Sequence, residues 1–405
     1  MVAIPEVSAS TNMPVITTDP YGLDVLASPY EFYKEVREAG PIVWIEKYGT
    51  YAVGQYESVH AVMTDFSRFS SSGGMGLPNL LTGELDMKYT SALVDVDPPQ
   101  HDKVRSVTNR VFSPRQVRNM RPIFERCAIE VIEQALEKGT IDGVTDLADA
   151  YLSQAFPEAI GTPYDRLASP AISAMTMNML GPKNSLYEEA VKAAEPYVNW
   201  YFENCNKDTV RPGSVAAELY EAEAAGQLNV GVADQLVRTI VKAGTDTTLG
   251  GISFVLKLLS ENPEQYQLLR EKPETLRNAL DEALRMESAI HMLYRTTLGP
   301  VEFAGHELAP HTKVGMVLAA ANHDPRKWED PDTFKVERRT GGVHLAFGTG
   351  LHNCLGAPIA RVESEAFLSA LVERVGSITP AGPTTPKLIN HLHLLKTMPL
   401  VITQA

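Results

Sequence analysis

The segment Phe347-Gly348-Thr349-Gly350-Leu351-His352-Asn353-Cys354-Leu355-Gly356 constrains this 405-residue chain more than any other. It sets one cysteine on a glycine-rich loop that opens directly into a helix. The two glycines ahead of the cysteine permit positive φ and a tight turn. Gly356, just after it, leaves room for a flat ligand to approach the backbone. The N–H groups of the loop and of the helix N-terminus favour a negative sulfur. A thiolate held this way can be the axial ligand of a haem iron. Residue chemistry alone leaves two other readings of Cys354 open. It can be a small buried hydrophobe, or a zinc ligand, although zinc takes about four clustered ligands and only His352 lies near. Cys127 and Cys205 stand far away in helical contexts.

Composition narrows the function classes. The chain is 44% hydrophobic with a formal net charge of −14, which argues against nucleic-acid binding. Three widely spaced cysteines form no disulfide framework and fit a reducing cytoplasm. Residues 1–18 have neither a basic start nor an apolar run, so neither a signal peptide nor an anchor is expected. No stretch of about 18 or more apolar residues occurs. The expectation is a cytoplasmic protein without a membrane span.

Periodicity predicts a mainly α chain with small β-sheets. Helices are expected over 30–39, 57–65, 115–138, 143–161, 165–180, 185–205, 232–259, 263–286 and 357–375. Strand-like runs fall at 42–44, 50–53, 299–314 and 388–402, and Lys47-Tyr48-Gly49 marks a hairpin. Residues 1–20 read as an irregular arm and 66–94 as a long loop, a length that usually carries function. No internal repeat or linker splits the chain, so residues 1–405 are expected to form one catalytic domain.

Three constellations carry chemistry. Glu282 and Arg285 lie at i, i+3 on one helix face; alone they could be an ordinary solvated ion pair. His101 and Arg105 lie one turn apart on a helix started by Pro98-Pro99, and alone each could be a surface cation. Ala243-Gly244-Thr245-Asp246-Thr247-Thr248 places a glycine and three threonines in a helix interior, a conflict with propensity that marks functional sites. The threonines could instead simply back-bond to carbonyls.

Taken together, these motifs resemble the cytochrome P450 superfamily. The cysteine loop matches Phe-Gly-x-Gly-x-His-x-Cys-x-Gly, and the central helix resembles Ala-Gly-x-Asp-Thr-Thr. Glu282 and Arg285 match Glu-x-x-Arg. Ala321-Asn322-His323-Asp324-Pro325 and Ala360-Arg361-Val362-Glu363 look like the segments that flank the loop in that family. The resemblance implies a triangular helical prism around a buried haem b, with Cys354 as its axial thiolate. It implies that His101, Arg105, Arg295 and His352 hold the propionates. Phe347, Gly348, Gly356, Ala243 and Gly244 would cradle the ring. Thr247 would hydrogen-bond the bound oxygen and Asp246 would feed protons. Arg338 would join Glu282 and Arg285 in a structural brace. The implied activity is an O₂-dependent monooxygenase. A peroxide-driven haem-thiolate enzyme and a haem sensor are the other classes, and the retained Asp246–Thr247 pair speaks against both.

For the substrate, several stretches are similar to bacterial enzymes that demethylate or hydroxylate para-substituted benzoates, among them residues 71–77 and Arg295-Thr296-Thr297. Gly73 stands where those enzymes place a carboxylate-gripping arginine. Lys242, four residues before Asp246, is a candidate replacement, or else a surface lysine or a partner of Asp246 itself. Expected pocket walls are Met75, Leu77, Met177, Leu180, Thr239, Ala243, Ile290 and Leu293. A small aromatic acid or phenol is the expected substrate, with a terpene or fatty acid as the alternative. The chain has no flavin or iron–sulfur pattern, so electrons must come from outside. The resemblance implies a [2Fe–2S] ferredoxin with an NAD(P)H-dependent reductase. Arg110, Arg115, Arg118 and Arg121 could steer it, or could be a routine solvated helix face.

Overall fold

The computed structural model describes residues 12–84 and 90–405. The expected arm therefore falls in part outside the described residues. Its remainder is not irregular: Val15–Ile16 forms a short strand parallel to the next one.

A six-stranded sheet runs in the order Val15–Ile16, Val43–Ile45, Thr50–Val53, Lys313–Met316, Leu293–Thr297, Phe69–Ser70. Its strands come from opposite ends of the chain, so it joins the N-terminal third to the segment ahead of the cysteine loop. The hairpin expected at Lys47-Tyr48-Gly49 forms, and Gly49 takes φ 59° to close it. A second sheet pairs Val375–Pro380 and Thr140–Asp142 with Pro399–Gln404.

Helices make the rest. Pro114–Lys138 starts on a proline, ends at Gly139 with φ 71°, and buries Val117, Met120, Phe124, Val131 and Ile132, as an amphipathic stripe should. It packs against Ala357–Arg374, the helix that follows the cysteine loop. Val232–Glu261 runs through the middle. Residues 248–256 of this helix are all buried, so the helix contacts protein on every side.

Two expected helices break at proline. The run 185–205 divides into Ser185–Ala194, a tight turn Glu195–Tyr197 and Trp200–Asn204. The run 263–286 divides at Pro273 into Pro263–Glu271 and Leu276–Met286. In the second case Lys272 sits at φ −126° and ψ 75°, because the ring of a following proline disfavours the helical region. The run 143–161 opens with a wide turn at Gly143–Asp149, capped by Asp142, which accepts from the N–H groups of Val144 (2.9 Å) and Thr145 (3.0 Å). The helix Val215–Ala224, capped by the Ser214 hydroxyl, was not expected.

Leu276–Met286 carries an ionic brace. Glu282 and Arg285 are both fully buried and share two contacts at 2.8 and 2.9 Å. Arg338 Nε donates to Glu282 at 3.0 Å. Arg285 also donates to the carbonyls of Asn322 (2.9 Å) and Pro331 (2.6 Å). Removing one member of a buried pair strands the other charge, at a cost of about 3–5 kcal/mol. Glu282→Ala should therefore lower stability in urea by about that amount. Lys272→Ala, which breaks an exposed pair with Glu337, should leave the midpoint close to that of the parent, because water screens such pairs. Equal midpoints for the two variants would refute the brace.

Candidate active site

The cysteine loop is built by its glycines. Gly348 and Gly350 take φ 67° and 70°, a region where a side chain is strained. The Cys354 N–H donates to Phe347 O at 2.8 Å and closes the loop. A methyl at Gly350 would press on Met63 O and Thr64 Cα, both at 3.2 Å. Cys354 is exposed in area, but it lines a cavity of about 290 Å³ inside the protein. Burial pushes its thiol pKa up, opposed by the N–H groups of Gly356 and Ala357 and by Arg105 and Arg361. The loop thus offers the stabilisation expected from sequence, but protein packing around the sulfur outweighs it.

The loop is held from both sides by Asp281, the neighbour of Glu282. Asp281 accepts from His344 Nε2 at 3.0 Å and from Arg361 at 2.9–3.0 Å. Arg361 in turn lies 4.8 Å over the Phe347 ring.

Across the cavity stands the central helix. Despite its glycine and threonines, residues 243–248 stay α-helical. Thr245 and Thr247 donate to the carbonyls four residues back, at 2.9 and 2.7 Å. Thr247, Ala243 and Gly244 line the cavity. Asp246 does not: it is buried on another face of the helix, where the Ser173 hydroxyl donates to its carboxylate. Gly244 was expected to make room for a ligand. A methyl there would overlap the Phe156 ring, so the position first accommodates an aromatic wall.

The cationic groups gather at one edge. His101 and His352 rings pack edge to face with centroids 4.4 Å apart, and the Nε2 of each is buried without a partner among the described residues. Burial, with Arg295, His101 and Arg105 nearby, pulls His352 down to about 3. Burial brings Arg295 to about 10, opposed by Asp97 and Asp95. Two imidazole Nε2 atoms without partners among the described residues, beside two guanidiniums, are suited to oxygen acceptors, and the cavity lined by Cys354 and Thr247 adjoins them. These residues fit a haem with two propionates.

Of the expected pocket residues, Met75, Thr239, Ala243, Ile290 and Leu293 line the cavity. Leu77, Met177, Leu180 and Lys242 do not. Met177 and Leu180 pack with Ile389, Leu392 and Leu394 in a separate cluster, and Leu77 donates its N–H to Leu180 O at 2.8 Å. Lys242 is half-buried. Burial, then Arg238, lowers its pKa to about 8, opposed by Asp95. It makes no ion pair with Asp246 among the described residues, and a direct grip on a cavity anion is not what this placement offers. A methyl at Gly73 would overlap Thr296, so no arginine fits that position without rearrangement.

Sequence reasoning missed Leu93, Val94, Phe156, Ile240 and Glu363, all on the wall. Glu363 is fully buried, neither carboxyl oxygen has a partner among the described residues, and burial pushes its pKa well above the carboxylate range. Its only advance signal was a charged residue on the buried face of the following helix.

Comparison with known proteins follows this geometry. The family model for cytochrome P450 matches residues 164–402. The chain is 36% identical over 395 residues to cytochrome P450 CYP199A2 of Rhodopseudomonas palustris, covering 97% of this chain and 95% of that protein. It is 26% identical to 6-deoxyerythronolide B hydroxylase of Saccharopolyspora erythraea, covering 91% and 93%. Among solved structures it resembles CYP109Q5 from Chondromyces apiculatus, with TM-score 0.79 and 27% identity over 96% of this chain and 99% of that one. The fold and site are those of a haem-thiolate oxidoreductase. The chain belongs to the cytochrome P450 family, whose members are monooxygenases that bind haem b through a cysteine thiolate. No helix among the described residues is long and apolar enough to cross a membrane.

The Gly244–Phe156 contact makes a prediction. Gly244→Ala should destabilise the protein by about 1–3 kcal/mol through overpacking, although alanine is the better helix former. Adding Phe156→Leu should recover part of that loss in a double-mutant cycle of urea unfolding. Strict additivity would show that the ring and the glycine do not meet.

Proposed function

We propose that this chain is an O₂-dependent monooxygenase that hydroxylates or O-dealkylates a small, para-substituted aromatic acid or phenol. The observation that carries the reading is that Cys354 and Thr247 line one and the same cavity. When bound, haem would supply the iron centre at which dioxygen is reduced by two electrons. Cys354 would bind it beneath; His101, Arg105, Arg295 and His352 would bind its propionates. The Thr247 hydroxyl, held by Ala243 O, is in place to donate or accept a proton at the cavity face. Asp246, kept on the far side of the helix by Ser173, is in place to pass protons inward from outside. Glu282, Arg285 and Arg338 would keep the loop in register.

The substrate assignment rests on chemistry. The haem would take up part of the cavity that Cys354 and Thr247 both line, so only the remainder is open to a substrate. Its wall is mainly apolar, with Met75, Phe156 and Ile290 among its members and the Thr239 hydroxyl on the oxygen helix. Thr239 Oγ1 lies 3.5 Å from Ser91 Oγ, a hydroxyl pair suited to a phenol or carboxyl end. An extended terpene or fatty acid would use the apolar wall but make no use of the Thr239 hydroxyl on it.

Electrons would come from a [2Fe–2S] ferredoxin and an NAD(P)H-dependent reductase. Cys354 also borders a surface depression lined by Arg105 and Arg361. Arg110, Arg115 and Arg118 are exposed beyond it, whereas Arg121 is engaged by Glu125 and Glu365.

Two measurements test the reading. Titration with 4-methoxybenzoate, 4-methoxyphenol, a monoterpene and a fatty acid, read by the low- to high-spin Soret shift, should give the largest response with an aromatic. A larger response to the terpene or fatty acid would overturn the substrate class. Thr247→Ala should raise hydrogen peroxide released per NADH consumed in the ferredoxin-driven reaction, with the thiolate-type ferrous–CO spectrum unchanged. Equal coupling in variant and parent would remove the role given to Thr247.

A further inference from the structure

We propose that Lys313, which touches neither the cysteine loop nor the oxygen helix, is a positioning residue that shapes the substrate side of the cavity by holding the backbone of residues 73–75. The inference rests on the reading above only in taking Met75 as a substrate-facing wall.

Lys313 begins a sheet strand and is 4% exposed. Its ammonium donates to two consecutive carbonyls, Gly73 O at 2.6 Å and Gly74 O at 2.8 Å. Neither glycine has a side chain to anchor it, and Gly74 sits at φ 88°, so this stretch is fixed through its backbone. Met75 follows at once and lines the cavity. Its N–H bonds the Asp95 carboxylate, and its carbonyl accepts from Tyr294 N at 3.0 Å. Asp95 also accepts from Ser91 N at 2.8 Å, just ahead of the wall residues Leu93 and Val94. One buried cation and one buried anion therefore hold two separate stretches of wall.

The arrangement is specific to charge. Asp95, Glu84 and Arg295 are the charged groups facing Lys313, and Asp97 faces Arg295. Burial lowers Lys313 to about 7, so holding an ammonium here carries a desolvation cost. A buried charge is a weak way to add stability. It is an effective way to fix two carbonyls in one register, because charge-assisted hydrogen bonds are short and strong. The sheet supports the same point: Thr296, paired with Lys313, is the residue against which Gly73 packs without room for a methyl.

The test uses the haem-loaded protein and two iron-binding probes, imidazole and 4-phenylimidazole, read by the Soret shift. Both coordinate through nitrogen, but only the second carries a ring that must meet the wall. Lys313→Met leaves Gly74 O without its ammonium donor and Gly73 O with only the Leu80 N–H at 3.0 Å, and should weaken 4-phenylimidazole about tenfold, with imidazole within about twofold. Lys313→Arg, which keeps a charged donor, should recover part of the loss. Amide exchange over residues 70–84 should speed up in Lys313→Met and stay unchanged over 357–374. Equal losses for both probes, no loss for either, or unchanged exchange would overturn the proposal. So would failure of both variants to take up haem, since Lys313 would then serve the fold rather than the wall. A parent protein with no Soret response to imidazole would sink the haem-thiolate reading instead, and the exchange measurement would still decide the role of Lys313.

Discussion

The buried carboxylates Asp281 and Glu282 are the constraint on which the site depends. They are adjacent on one helix and serve different segments. Glu282 gathers Arg285 and Arg338, whose remaining donors take up the carbonyls of Asn322, Glu329, Asp330 and Pro331. Asp281 gathers His344 before the cysteine loop and Arg361 after it. A ten-residue loop with two positive-φ glycines has little hydrophobic surface of its own. It is kept in place because both of its flanks are tied to a helix that cannot move without unpairing buried charge. The expense of burying these ions makes the arrangement discrete: partial loosening would leave a charge without a partner.

The same logic recurs on the other side of the cavity with different groups. Residues 73–75 and 91–95 are irregular backbone, and irregular backbone inside a protein must find hydrogen-bond partners that a helix or sheet would otherwise supply. Lys313 and Asp95 supply them. The site is therefore bounded by three kinds of support: a buried ionic brace under the cysteine, a fully packed helix bearing Thr247, and a charged clasp under Met75. The brace sits on the helix Leu276–Met286 and the lysine of the clasp on the strand Lys313–Met316, and the central helix carries the Thr247 hydroxyl. Variation in substrate preference is least disruptive at the clasp, because changes there need not disturb either of the other two.

How much of this was legible in the sequence follows from how local each determinant is. The cysteine loop was legible because its glycines, its cysteine and its helix start lie within ten residues, and each has a backbone reason to be there. Glu282 and Arg285 were legible as a pair but not as a buried one; burial depends on the distant meander that covers them. Leu77 was misplaced because long loops have no period from which a facing direction can be read, and Met177 and Leu180 because a helical period shows which residues share a face but not which neighbour that face meets. Phe156 and Gly244 were each legible separately, while their contact is a property of two helices crossing. Lys313 gave no signal at all. A lysine in a strand-like run reads as a solvated residue, and nothing local reveals that two glycyl carbonyls from residues 73 and 74 will close on it.

That last case bears on how specificity can change in such a chain. An arginine at position 73 would bring its own charge into the cavity; here Thr296 blocks any side chain, and the glycine carbonyls turn to Lys313 instead. The cation has moved from the substrate side of the backbone to the protein side. It no longer meets a ligand, but it still decides where the backbone that meets the ligand runs. Removing a ligand-binding charge while keeping a backbone-binding one makes the wall more apolar without making it looser.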